Sequence, residues 1–298
     1  MSASARSIAV DWGTSSFRAY LRDGAGAIVA ERRAADGISK VPPGGFPAVL
    51  ESHIGDWRQA HPGAPVIMAG MVGSRNGWIE APYAPLPAGP ADLRARLTRA
   101  PIEGGEALIV PGLSTVDRGL GDVMRGEETL ALGAGVVDGV VISPGTHPKW
   151  IVLEGGRIVR FATFMSGEVF ALLTEHSLLA RLAADPLDEA DEDEGFARGL
   201  AAADDDRGLL HAIFAARADV LLARMPPSQV RAFLSGVLVG SEASAGRRML
   251  PGLREAVLIA AGRKAAFYRA ALDRVGIGVR LVDSDDAMIA GLDAILSA

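Results

Sequence analysis

The sequence predicts an α/β fold in two successive halves, each built on a mixed sheet. Three observations predict it. Short apolar strands alternate with amphipathic helices along the chain, and glycine turns fold some strands back as hairpins. One pattern (apolar strand, glycine–threonine corner, alternating strand, glycine turn) occurs near both Ile8 and Val140. The chain has 298 residues, 49% of them hydrophobic, which is core material for two domains of about 150 residues.

Composition narrows the function. Asp plus Glu number 36 against 30 Lys plus Arg, a net charge of −6, which argues against nucleic acid as a partner. An anionic small molecule held by a few placed cations stays compatible. With no cysteine there is no disulfide framework, thiol nucleophile or cysteine metal site. Residues 1–7 are short and polar, and no apolar run approaches the ~18 residues of a spanning helix. A cytoplasmic protein with no membrane partner is expected.

Ile8, Ala9 and Val10 form an apolar strand ending in Asp11-Trp12-Gly13-Thr14-Ser15-Ser16. Phe17, Ala19 and Leu21 alternate with Arg18, Tyr20 and Arg22, the period of a half-buried strand. A turn at residues 23–26 leads to a return at Ile28. Phe46, Val49, Leu50, His53, Ile54 and Trp57 share one face of a 3.6-residue period, so a helix is predicted and His53 reads as a core histidine. Residues 66–69 are a buried strand. Residues 70–90 carry four prolines and no sustained period, and a loop this long points to function. A strand at 108–110 and a helix over 122–132, with Asp122 at its N-cap, complete the first half.

The second half opens like the first. Val140-Val141-Ile142 runs into Ser143-Pro144-Gly145-Thr146-His147, then a strand with Trp150 and Val152 on one face, a Glu154-Gly155-Gly156 turn and a return at Ile158. Ile28 follows Gly13 by 15 residues and Ile158 follows Gly145 by 13. Such hairpins are common in α/β proteins, so spacing alone leaves repeat and coincidence equally open. Helices follow at 166–182, 209–225 and 228–245, the last capped by Ser228. Residues 185–194 and 204–206 are acidic and read as solvated loops, without EF-hand spacing. A strand at 256–260, a helix at 262–275, a strand at 279–282 and a terminal helix at 284–296 end the chain.

No P-loop, strand-following Gly-x-Gly-x-x-Gly, His-Glu-x-x-His or Gly-x-Ser-x-Gly occurs. The two glycine–threonine corners carry the chemistry instead. Gly13 and Gly145 let oxygens approach backbone N–H groups, and Thr14, Ser15 and Thr146 add hydroxyls, which suits phosphate. Asp11 repels a bare phosphate and makes sense only with hydrated Mg2+ between them. Either corner alone is a plain hairpin junction; the two together point to a nucleotide phosphate clamp.

Ile8-Ala-Val-Asp-Trp-Gly-Thr-Ser-Ser resembles the first phosphate motif of the sugar-kinase, Hsp70 and actin superfamily, and Ser143-Pro-Gly-Thr-His-Pro-Lys-Trp resembles its second. Val257-Leu-Ile-Ala-Ala-Gly-Arg is similar to its adenosine motif, although that motif usually has two or three successive glycines and only Gly262 is present. Gly70-Met-Val-Gly-Ser-Arg-Asn-Gly-Trp, Asp122-Val-Met-Arg-Gly-Glu-Glu-Thr, Pro144-Gly-Thr-His-Pro-Lys-Trp and Phe164-Met-Ser-Gly-Glu-Val-Phe resemble signature stretches of the 2-dehydro-3-deoxygalactonokinase family. The likeness covers nearly the whole chain. It implies two ribonuclease-H-like (actin-like ATPase) domains, each a mixed five-stranded sheet flanked by helices, at residues 1–135 and 136–298. It also implies an interdomain cleft holding ATP, and a terminal helix packed back on the first domain. The implied reaction is ATP-dependent phosphorylation of the 6-hydroxyl of 2-dehydro-3-deoxy-D-galactonate, in galactose or galactonate breakdown.

On that resemblance Asp122, 24 residues before Thr146, takes the place of the catalytic Asp that receives the hydroxyl proton; an N-cap alone is the plainer reading. Asp11 would orient Mg2+ through water, Gly13, Thr14, Ser15, Gly145 and Thr146 would hold phosphates, and Gly262 would face the adenosine. A sugar acid needs a cation for its carboxylate and amides for its hydroxyls, and Arg75 and Asn76 fit. Arg18, Lys149, Trp78 and Glu168 are further substrate candidates, although Arg18 could face solvent and Trp78 could pack the loop. Glu127 and Glu128 could contact a hydroxyl or assist the metal, but acids at a helix start need no such role. A homodimer is left open. The competing readings are a kinase for another sugar or sugar acid, a non-catalytic nucleotide or sugar sensor, and a filament-forming protein.

Overall fold

The computed structural model describes residues 5–183 and 189–298. It divides into two compact units: Met1–Gly139 with Ile151–Phe161 and Asp283–Ala298, and Val140–Trp150 with Ala162–Val282.

In the first unit, β1 (Ala5–Trp12) pairs antiparallel with β2 (Phe17–Asp23), and β2 with β3 (Ile28–Ala34). Helix α1 (Phe46–Ala60) carries the chain to β4 (Val66–Ala69), parallel to β1. After β5 (Ala84–Pro85) and α2 (Pro90–Arg94), β6 (Thr98–Ile102) and β7 (Gly105–Ile109) complete the sheet. Its order is β3-β2-β1-β4-β7-β6, so the five expected strands gain a sixth at the edge. Pro101 hides β6 from a sequence reading, and an edge position is where a strand tolerates proline. Ile8, Val10, Trp12, Phe17, Leu50 and Ile54 are fully enclosed, each contributing about 1.5–3 kcal/mol. His53 behaves as read: it stacks on Phe17 at 4.4 Å and bonds to Asp36 at 3.0 Å.

The helix expected over 122–132 is corrected. β8 (Leu113–Asp117) and β9 (Leu120–Met124) form a hairpin that joins β5 in a small sheet, with Asp122 opposite Thr115. Arg118 and Gly119, at φ 51° and 81°, make the left-handed turn that hairpins favour. The helix, α3 (Glu127–Gly133), starts only after Gly126, so Asp122 is not its N-cap.

In the second sheet, β10 (Gly139–Ser143), β11 (Lys149–Glu154), β12 (Arg157–Thr163), β13 (Glu255–Ile259) and β14 (Gly278–Val282) lie in the order β12-β11-β10-β13-β14, with β13 parallel to both neighbours. The second unit adds α4 (Ser166–Glu175), α5 (Glu189–Ala202), α6 (Leu209–Leu221), α7 (Val230–Met249) and α8 (Gly262–Arg274). Several boundaries move. α4 stops at Glu175 and α6 at Leu221, both short of the predicted ends. Glu189 to Glu194, read as loop, open α5, where carboxylates favour the helix N-terminus; residues 185–188 of that acidic stretch lie outside the described residues. Ser228 sits in a 3-10 turn and donates to Asp191 at 2.5 Å instead of capping α7. Gly199 and Gly236 let α5 and α7 touch, since a Cβ on either would sit 2.1 or 2.3 Å from a carbonyl oxygen of the other helix. Helix α9 (Ser284–Ser297) belongs to the first unit and is capped by the Asp283 carboxylate. Among the described residues no helix is long and apolar enough to cross a membrane.

Candidate active site

In the first unit Asp11 is the second-last residue of β1, flanked by Arg18 on β2 and Ala69 on β4. Strand ends of this kind present functional groups in α/β sheets. Burial pushes its carboxyl up from 3.8 to about 6; Arg18 pulls the other way, and Asp285 and Glu127 push it further up. Gly70 follows β4 at φ 94°, and a Cβ there would lie 2.8 Å from the Trp12 carbonyl oxygen and 3.3 Å from Asp11 Oδ1. Only glycine lets the 70–78 loop start against Asp11. Gly126, before α3, comes as close to Gly70, a Cβ on it lying 3.3 Å from the Gly70 Cα. The start of α3, with Glu127, is thereby brought to Asp11.

No group of three or more His, Cys, Asp or Glu suited to a metal occurs among the described residues. Mg2+ does not need a protein cage; it keeps most of its water and takes one or two carboxylates plus phosphate. Asp11, with Glu127 and Asp285 as acidic neighbours, fits that use. Arg18 is engaged by the same acids, 3.0 Å from Asp285 and 3.6 Å from Asp11, and Arg33 joins Asp285 at 2.5 Å. Arg18 is thus held as internal counter-charge.

The Gly13–Ser15 corner is braced from behind. Gly13 and Thr14 carbonyls accept the Ile38 and Ser39 N–H groups at 3.0 and 3.1 Å, and the Ser39 hydroxyl adds a bond to Thr14 at 2.8 Å. The Thr14 and Ser15 hydroxyls are exposed and have no partner among the described residues. Arg75 and Asn76 stand exposed on a tight turn closed by Gly77 N–H to Ser74 at 2.8 Å, also without partners among the described residues. Trp78 packs instead, parallel to Phe46 at 6.2 Å. Asp122 is half-buried on β9. Glu128 is fully buried, accepting the Gly126 N–H at 2.7 Å and the Thr129 hydroxyl at 3.0 Å, and burial raises its carboxyl to about 7.

The second unit holds a cavity of about 270 Å³, just under the ~300 Å³ of small ligand sites. Pro144, Gly145, Ser166 and Gly167 line it, together with Phe267 and Tyr268 on α8 and Leu238 and Val239 on α7, which make much of its wall apolar. Phe267 lies flat on Phe196 at 3.8 Å, and Arg263 covers its ring at 4.9 Å while paired with Glu192 and Asp193 at 2.7 Å each. Lys264 and Arg231 put cations on the wall. Thr146 is exposed beside Gly145, and Gly262 begins α8 with open space around it. Lys149 is buried and donates to the His147 carbonyl at 2.7 Å, and Glu168 pairs with the His147 ring.

The model of the 2-keto-3-deoxy-galactonokinase family matches residues 11–295. The chain belongs to this kinase family. It is 39% identical over 295 residues to the Rhizobium meliloti (strain 1021) protein named "Probable 2-dehydro-3-deoxygalactonokinase DgoK1", covering 96% of this chain and 95% of that one. It is 36% identical to the Escherichia coli (strain K12) 2-dehydro-3-deoxygalactonokinase, covering 99% and 98%. A solved structure, a "putative 2-dehydro-3-deoxygalactonokinase protein from Sinorhizobium meliloti", superposes with a TM-score of 0.87 at 37% identity over 97% of both chains. The fold is the two-domain actin-like ATPase fold.

The walls of the second unit's cavity on α7 and α8 are not among the residues that the sequence singles out. A signal for them exists: Arg231, Ser235, Leu238, Val239 and Glu242 fall at i, i+4, i+7, i+8 and i+11, one helix face. Small residues all round α7 mask it, because that helix is buried against α5 as well.

Proposed function

We propose that this chain transfers the γ-phosphoryl group of ATP to the 6-hydroxyl of 2-dehydro-3-deoxy-D-galactonate. The observation that carries the proposal is the second unit's cavity, which is lined both by the glycine corner at Pro144 and Gly145 and by apolar and aromatic side chains of α7 and α8. Family membership supports the choice of sugar acid. In this reading Gly145 and Thr146 hold phosphate, Lys264 supplies positive charge and Gly262 opens the adenosine end. In the first unit Gly13, Thr14 and Ser15 offer phosphate donors, and Asp11 holds Mg2+ through water. Bound Mg2+ would neutralise charge developing on the transferring group.

Arg75 and Asn76 take the carboxylate and hydroxyls of the sugar acid. Lys149, Glu168, Trp78 and Arg18 take supporting roles, each within its own unit, since the contacts each already makes limit direct contact with substrate. The sequence reading gives proton acceptance to Asp122 at a helix start; that start is held by Glu127, which also acts on Asp11. Proton acceptance is assigned to Glu127, with Asp122 as second candidate. The enzyme works in the cytoplasm, where ATP is supplied. An ADP-release assay across 2-keto-3-deoxy sugar acids and simple hexoses tests the proposal. Strong preference for the galactonate epimer supports it; equal turnover of glucose or gluconate overturns the substrate, and no turnover of any overturns the kinase.

A further inference from the structure

We infer that Glu242 is a positioning residue that ties two walls of the nucleotide cavity together, the start of α4 beside the phosphate corner through Ser166 and helix α8 through Tyr268. The inference rests on reading that cavity as the ATP site. Glu242 lies on α7, 3% exposed, with no cationic partner among the described residues. Its Oε2 accepts the Tyr268 hydroxyl at 3.0 Å and the Ser166 hydroxyl, and its Oε1 accepts Trp150 Nε1 at 3.1 Å. The three donors come from three elements, α8, α4 and β11. A carboxylate is the side chain that offers acceptors on both oxygens with no competing donor. Burial raises its pKa and the three donors oppose the rise. A buried carboxylate without a cation is a costly way merely to fill space.

Both arms reach the cavity wall. Ser166 opens α4, and the next residue, Gly167, sits so close to the phosphate corner that a Cβ on it would lie 2.2 Å from the Gly145 carbonyl oxygen. Glu168 N–H then donates to the Thr146 carbonyl at 2.9 Å. A shift at the start of α4 therefore moves Gly145 and Thr146. On the other arm, Tyr268 lines the cavity from α8, as does Phe267 beside it in sequence. Trp150 anchors the hub from below, packed so tightly on α7 that a Cβ on Gly246 would come 2.3 Å from its ring.

The test uses the full chain with Glu242→Gln, Ser166→Ala and Tyr268→Phe. Affinity for a non-hydrolysable ATP analogue is read by calorimetry, alongside KM for ATP, KM for the sugar acid, kcat and the thermal midpoint. Glu242→Gln weakens analogue binding and raises KM for ATP by about tenfold or more, while KM for the sugar acid stays within about twofold. Tyr268→Phe weakens the analogue and raises KM for ATP several-fold; Ser166→Ala lowers kcat several-fold with less effect on affinity. Combined with Glu242→Gln, neither adds its full effect. If Glu242→Gln does not fold, the two single-arm variants decide. Unchanged KM for ATP in the variants that fold, or both KM values rising together with the fall in thermal midpoint, overturns the positioning role. A wild-type chain that does not bind the analogue overturns the reading of the cavity itself.

Discussion

Replacing Asp11 by Asn separates the stability this site costs from the chemistry it supplies. The carboxyl ionises near 3.8 in the unfolded chain and near 6 in the folded one. Between those values the folded state binds more protons, so wild-type stability falls as pH rises through the window, and the loss is complete above about 6. A shift of about two units corresponds to about 3 kcal/mol. Asn carries no such cost, and Arg18 keeps Asp285 at 3.0 Å, so no guanidinium is orphaned. The variant is expected to match the wild type near pH 3 and to exceed it at pH 8 by up to about 3 kcal/mol, a rise of ~5 °C in a chain of this size. Denaturant titrations from pH 3 to pH 8 read the difference. The same variant is expected to lose turnover by about a hundredfold or more, since the role proposed for Asp11, holding Mg2+ through water, needs the charge that Asn lacks. Parallel stability curves for the two proteins, or a variant with near-normal turnover, would refute the reasoning.

Three further outcomes follow from the geometry. Glu127→Gln is expected to lower kcat by about a hundredfold or more while analogue binding holds, with a smaller loss for Asp122→Asn; steady-state kinetics of the pair decide which carboxylate takes the proton. Arg75→Ala raises KM for the sugar acid about tenfold or more and leaves KM for ATP unchanged, measured by varying each substrate in turn. Gly70→Ala forces a side chain into a φ of 94° and within 2.8 Å of the Trp12 carbonyl oxygen, so a loss of about 2 kcal/mol by denaturant titration and a collapse of turnover are expected.

Where hydrophobic period and local chemistry agreed, the elements were legible in the sequence. The face of α1 from Phe46 to Trp57, the alternation of β2 and the start of α9 at Ser284 are of that kind. The β8–β9 hairpin was not, because its outward residues Val116, Leu120 and Val123 are apolar and exposed, which erases the alternation that marks a strand. Asp122 then passed for a helix cap, since Asp before an acidic stretch carries the same local signal as a true N-terminus. The corners that follow β1 and β10 were legible as chain turns because each apolar run ends there in glycine and small polar residues. Arg18 illustrates the opposite: its alternation marks a strand, but only the fold brings it to Asp285, 267 positions away. Glu242 was invisible for the same reason, its three donors being far apart in sequence.

Phosphorus and carbon NMR of the product formed from ATP and 2-dehydro-3-deoxy-D-galactonate tests the central claim most directly. The account predicts a single phosphate monoester coupled to C6, formed in step with ADP. A phosphate at another carbon, or ADP released as inorganic phosphate accumulates and the sugar acid stays unchanged, would contradict it.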